Sequence, residues 1–175
     1  MKLLTVPDPI LYQIADVVTA FDSKLMEEVA GMKKVLIDAH DPEGVGLAGN
    51  QVGLLKRIFL MRLTPTSTIE VCINPQLSHR KKDPPRTSKA SDDEPLEGCL
   101  SVPRIWAPVI RDWEVTMDWQ DEQGKPKRDV FTGFASAVIQ HEIDHLDGIL
   151  FTKRAMEQGA TIYEERRKKL YPVEI

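Results

Sequence analysis

The chain has 175 residues, 42% of them hydrophobic, with 23 basic against 27 acidic side chains and a net charge of −4. That is enough apolar surface for one domain over residues 1–175, and too acidic a balance for a dedicated nucleic-acid binder, which carries a basic stripe. No apolar run reaches the length of a membrane span, and "MKLLTVPDPI" lacks the long apolar core of a secretory signal. A cytoplasmic protein is expected, and its two cysteines, Cys72 and Cys99, are expected to be reduced thiols.

In chain order, Asp22 to His40 predicts a helix. Leu25, Val29, Met32, Leu36 and Ala39 recur at the spacing of one helical face, Asp22 is a good N-cap, and "DPEG" stops the run. "EGVGLAGNQVG" is rich in glycine and too apolar for an ordinary surface loop. "RIFLMRL" and "TIEVCINP" read as strands. Ser78 to Pro95 is charged and proline-bearing, and predicts a long mobile loop. "EGCLSVP" follows it. "WEVTMDW" and "KRDVF" flank "QDEQGKP", which reads as a hairpin turn.

Phe131 to Asp147 predicts a second, buried helix with Thr132 as its cap and Gly148 at its end. Ala155 to Leu170 reads as a more polar helix, interrupted by Gly159. Strands, a hairpin and a buried helix predict an α+β fold, with antiparallel strands packed around a buried central helix that carries the sequence "HEIDH". No internal repeat is visible.

"QHEIDHLDG", Gln140 to Gly148, carries the chemistry. His141 and His145 lie four apart, so a helix presents both rings on one face to one ion. Glu142 sits one residue round and can reach a water on that ion as a general base without ligating it. A catalytic ion needs a third protein ligand. Cys99 in "EGCLS" gives one candidate set. Glu164 or Glu165 gives another, that of a zinc endopeptidase. A third reading is a non-catalytic, metal-stabilised binding module, in which Cys72 or His79 closes a four-ligand site. In "GVGLAGNQ" no Lys-Ser or Lys-Thr follows the glycines, which argues against a phosphate loop. Gln51 there offers two N–H donors that could face a developing oxyanion.

Three segments, "GVGLAGNQ", "EGCLS" and "QHEIDH", in this order resemble the peptide deformylase family, which carries G-x-G-L-A-A-x-Q, E-G-C-L-S and Q-H-E-x-D-H. "VPDPIL", "INP" and "DEQGKP" extend the likeness along most of the chain. The resemblance implies a metal-dependent hydrolase that removes the N-formyl group from the formylmethionine of nascent polypeptides and releases formate. It implies that Cys99, His141 and His145 hold one divalent ion, iron(II) in many members, with zinc, nickel or cobalt able to replace it. Glu142 would be the base and acid, and Gln51 and the Leu100 amide would bind the oxyanion. Val45 and Gly46 would line the groove, and Phe134, Val138 and His141 would border the methionine pocket. Formyl-Met nascent chains are the implied partners, with a transient encounter with the ribosome for which "RRKKL" is a possible contact. No membrane and no direct nucleic-acid partner are expected. The sequence departs from the family at Gly49, where an alanine is usual and where glycine would loosen the turn holding Gln51. It departs at Trp106, where some members carry an arginine beside the substrate, and in the charged 78–95 segment.

Overall fold

The computed structural model describes residues 1–40, 43–82 and 95–173. Helix α1 spans Ser23–Asp38, and Asp22 caps it by accepting the Leu25 amide at 2.9 Å. Its buried residues are Leu25, Val29, Met32 and Leu36, the predicted apolar face. Strands β1 (Gly46–Ala48), β2 (Ile58–Met61) and β3 (Glu70–Lys81) follow, then β4 (Leu96–Cys99), β5 (Val102–Pro108), β6 (Glu114–Gln120) and β7 (Pro126–Thr132). Helices α2 (Gly133–Leu146) and α3 (Phe151–Glu157) come next, and β8 (Tyr163–Arg166) and β9 (Lys169–Pro172) end the described chain.

The strands form two antiparallel sheets, ordered β1-β2-β3-β6-β7 and β4-β5-β8-β9. This is an α+β fold, as the pattern of elements predicts. Successive side chains on a strand point to opposite faces, so the fully apolar β2 is buried on both. Ile58 and Leu60 join Val71 and Ile73 in the cluster with α1, whereas Phe59, Met61 and Cys72 join Val138, Ile139, Ile143 and Leu146 of α2. The first sheet is therefore sandwiched between α1 and α2. The second sheet contributes Val102 and Ala107 to a separate cluster with Leu150, Phe151 and Ala155. No helix among the described residues is long and apolar enough to cross a membrane.

Three expectations are corrected. The charged segment begins as strand, not loop: β3 continues through Ser78 to Lys81, with Arg80 opposite Val115 and Lys81 opposite Glu114. Pairing with β6 satisfies the backbone there, and the polar side chains face outward. Most of the predicted loop, residues 83–94, lies outside the described residues. Phe131 and Thr132 belong to β7, paired with Val115 and Glu114, and the helix starts only at Gly133, whose φ of +58° turns the chain. Thr132 stands at the N-cap position, but its side chain makes no capping bond.

The third correction is the chain's end. Only Phe151–Glu157 is helical; Gly159 at φ +66° stops it, and β8 and β9 form a hairpin. Arg167 and Lys168, both at positive φ, make the two-residue turn whose twist suits a hairpin. Pairing with β5 outweighs the helical propensity of "YEERRKKL".

Gly148 ends α2 at φ +71°, and a Cβ there would lie 2.6 Å from the Tyr12 carbonyl oxygen. Gly159 has a similar φ but open space around it. Gly148→Ala should cost about 2 kcal/mol or more, a fall in Tm of about 4–8 °C by calorimetry, and Gly159→Ala about half as much. Equal effects would mean that the contact with the N-terminal segment contributes nothing.

Candidate metal centre

Cys99 ends β4, an edge strand of the second sheet, while His141 and His145 stand one turn apart on α2. One ligand atom from each lies within 4.8 Å of the other two. Cys99 Sγ is 3.1 Å from His145 Nε2, and the two imidazoles meet edge to face with centroids 4.8 Å apart. All three residues are buried.

His141 is oriented by a partner that sequence reasoning missed. Its Nδ1 bonds Glu97 Oε1, two residues before Cys99. That fixes the ring and leaves Nε2 for the cluster. Glu97 accepts in turn from Arg111 Nε at 3.0 Å and from a second guanidinium nitrogen at 2.7 Å. The third nitrogen of Arg111 donates to Asp144 at 2.6 Å, and Arg154 donates to Asp144 at 2.7 Å. Two carboxylates and two guanidiniums thus alternate beneath the histidines.

Burial opposes the charge on Glu97, but His141 and Arg111 overcome it and hold the carboxyl down at about 2. Burial likewise opposes protonation of His141, and the Glu97 carboxylate raises it well above the ordinary imidazole value. His145 is pushed well below that value, first by burial and then by His141.

Glu142 is 3% exposed and outside the three-residue cluster, as its spacing predicts. Burial pushes its carboxyl up to about 7. A Cβ on Gly46 would meet Glu142 Oε1 at 2.1 Å, so only glycine lets β1 pass this carboxylate. Gln51 is 1% exposed. Its oxygen accepts the Ala48 amide at 2.8 Å, which turns Nε2 toward Ser101 Oγ at 3.1 Å and Cys99 Sγ at 3.5 Å. Gly49 does not loosen this turn. A Cβ there would lie 2.6 Å from the Leu54 carbonyl oxygen and 2.7 Å from that of Lys56. The missing methyl lets the chain close more tightly, while Ala48 and Ser101 hold Gln51.

The other candidate ligands do not gather. Glu164 bonds the guanidinium of Arg166, and Glu165 accepts from Trp106 Nε1 at 3.0 Å. Cys72 is a core residue of β3 whose thiol is raised well above its usual value by burial and Glu70. His79 pairs with Thr116 on an exposed stretch of β3. This excludes a His–His–Glu endopeptidase set and a closed four-ligand site among the described residues.

The donor chemistry fits a divalent cation. A thiol and two imidazoles converge in a buried place where His145 Nδ1 and Glu142 Oε2 have no hydrogen-bond partner. Buried polar groups are rarely left unpaired without an ion, a ligand or water to complete them. A cavity of about 530 Å³ opens beside the cluster. It touches every expected groove residue: Val45, Gly46, Gln51, Leu100, Trp106, Phe134 and Val138.

Glu97→Gln keeps the size but removes the charge that holds His141. It should weaken Co(II) binding by roughly 10–100-fold in an absorption titration. Unchanged affinity would show that the imidazole needs no such anchor.

The sequence matches the family described as polypeptide deformylase over residues 1–160. A peptide deformylase of Picosynechococcus sp. is 37% identical over 142 residues, covering 79% of this chain and 72% of that one. Peptide deformylase 1 of Bacillus subtilis is 35% identical, covering 87% and 88%. Among solved structures, a peptide deformylase of Legionella pneumophila superposes with a TM-score of 0.77 at 33% identity, covering 87% and 84%. One from Synechococcus elongatus, in complex with actinonin, gives 0.74 at 31%, covering 95% and 81%. With fold, motif order and sequence agreeing over most of its length, the chain belongs to the polypeptide deformylase family.

Proposed function

We propose that this chain removes the formyl group from N-terminal formylmethionine of nascent polypeptides, at a centre in which Cys99, His141 and His145 hold one divalent ion. The observation that carries the reading is the convergence of those three donors with Glu142 and Gln51 turned toward the same cavity. When bound, the cation supplies a Lewis acid that polarises the formyl carbonyl and makes water nucleophilic near neutral pH. The resemblance favours iron(II) as the resident ion, and the thiolate–imidazole set also suits zinc, nickel or cobalt. Iron(II) beside a thiolate makes the enzyme oxygen-sensitive.

The residues divide the remaining work. Glu142 takes a proton from the attacking water and returns it to the leaving nitrogen as the C–N bond breaks, giving formate and a free amino terminus. A burial-raised carboxyl near 7 is poised for both roles. Gln51 Nε2 and the Leu100 amide donate to the oxygen that becomes negative. Ala48 fixes the Gln51 amide, and Nε2 exchanges its long contact with Cys99 Sγ for that oxygen.

Beyond the reacting bond, β1 and β4 are both edge strands and both line the cavity. An extended peptide lies between these edges as an added strand. Its methionine side chain enters the apolar part formed by Val45, Phe134 and Val138. In this reading α2, which carries His141, Glu142 and His145, is the central helix between the functional strands of both sheets. Formylmethionine arises on chains leaving the ribosome, so the protein meets the ribosome transiently, in a bacterial cytoplasm or an organelle.

Glu142→Gln cannot take a proton. At matched metal occupancy, it should bind metal normally while anaerobic single-turnover formate release falls roughly 100-fold or more. Near-normal turnover would remove Glu142 as the base; loss of the metal would make it a ligand. Cys99→Ser should lose most of its metal or activity, whereas Cys72→Ser keeps both. A fully metallated, fully active Cys99→Ser protein would overturn the ligand set.

A further inference from the structure

Trp106 and Glu165 form a unit that the deformylation chemistry does not use. Trp106 pairs directly with Gly98 across β4 and β5, and with Tyr163 across β5 and β8. Paired residues share a face of a sheet, and so does the residue two further along a strand. Gly98, Trp106 and Glu165 therefore stand on one face of the second sheet. The benzo end of the indole covers Gly98, where a Cβ would lie 2.5 Å from Cζ3. The opposite end, Nε1, donates to Glu165 Oε2 at 3.0 Å. The ring thus runs outward from the residue before Cys99 to a carboxylate.

Trp106 is half-buried and lines the cavity. No cation among the described residues lies within ion-pair distance of Glu165. Of the acids that line the cavity, Glu43 pairs with Arg62, Glu97 with Arg111 and Asp112 with Arg80, while Glu142 stands unpaired at the reacting centre. Glu165 lies beyond that lining, behind Trp106, and its charge is not matched by such a partner. At about 530 Å³ the cavity falls within the roughly 300–1,000 Å³ that houses drug-sized ligands, so formylmethionine alone leaves room in it.

We propose that Trp106 and Glu165 select a lysine or arginine at one of the two positions after formylmethionine. The inference rests on the deformylase reading. The aliphatic stem of such a side chain lies along the indole, which also attracts its charge, and the head reaches Glu165. A glutamate in the same place meets a like charge.

The test compares kcat/KM for formyl-Met-Lys-Ala, formyl-Met-Glu-Ala, formyl-Met-Ala-Lys and formyl-Met-Ala-Glu on the metal-loaded enzyme. Lysine should exceed glutamate by roughly 3–10-fold at one of the two positions, and high salt should shrink the ratio. Glu165→Gln should bring the ratio toward one and Glu165→Lys should invert it. Glu164→Gln, on the other face, should keep it within about twofold. Equal turnover of lysine and glutamate peptides at both positions overturns the proposal, as does a ratio that survives Glu165→Gln. If none of the four peptides releases formate, the deformylase reading is what fails. Calorimetric titration with Met-Lys-Ala, Met-Glu-Ala, Met-Ala-Lys and Met-Ala-Glu then still decides whether the groove selects a cation, and equal binding at both positions overturns it.

Discussion

The bond between Glu97 and His141 joins the two halves of the site. Glu97 lies on a strand of the second sheet, two residues from Cys99, and His141 lies on a helix packed against the first sheet. That bond ties the strand carrying the thiol to the helix carrying the imidazoles. Arg111 carries the restraint deeper by holding Glu97 and Asp144 at once. Buried ion pairs add little net stability, because desolvation offsets their attraction, but they punish every arrangement that breaks them. Here the arrangement they enforce is the convergence of three donor side chains.

Space around the cluster is controlled by absent side chains. Gly46 lets β1 pass against Glu142, and Gly98 lets Trp106 lie flat on β4. Each glycine sits where a strand edge borders the cavity, so backbone and reactive side chains come closer than any Cβ permits. Among the described residues, each of these two strands pairs on one side only. Close approach and open backbone together give a groove suited to an extended peptide, with the carboxylate of Glu142 at its inner end.

Much of this was legible in the sequence because it is local. The apolar face of α1, the "QDEQGKP" hairpin and the pair His141/His145 each follow from spacing within one element. Cys99 was one candidate among several until the likeness to a family singled it out. Glu97, Arg111, Asp144 and Arg154 were missed because their partnership spans a strand, a loop and two helices, and no spacing rule links them. A partial signal existed: Glu97 follows Leu96 and Arg111 follows Val109 and Ile110, and a charge at the end of an apolar stretch asks for a buried partner. The C-terminal hairpin was hidden for the opposite reason. "YEERRKKL" has good local helix propensity, and only the free edge of β5 makes it a strand. Gly49 read as loosening because the carbonyls of Leu54 and Lys56 that crowd it lie beyond the turn itself.

Whether one cation, held by Cys99, His141 and His145, makes this chain a deformylase is tested most directly by stripping the protein of metal under anaerobic conditions. Iron(II) is then added back in fractions of an equivalent, while formate release from a formyl-Met peptide is followed. No turnover is expected without metal, and a linear rise that breaks at one ion per chain. Full activity in the stripped protein, or no formate after one equivalent, would contradict that expectation.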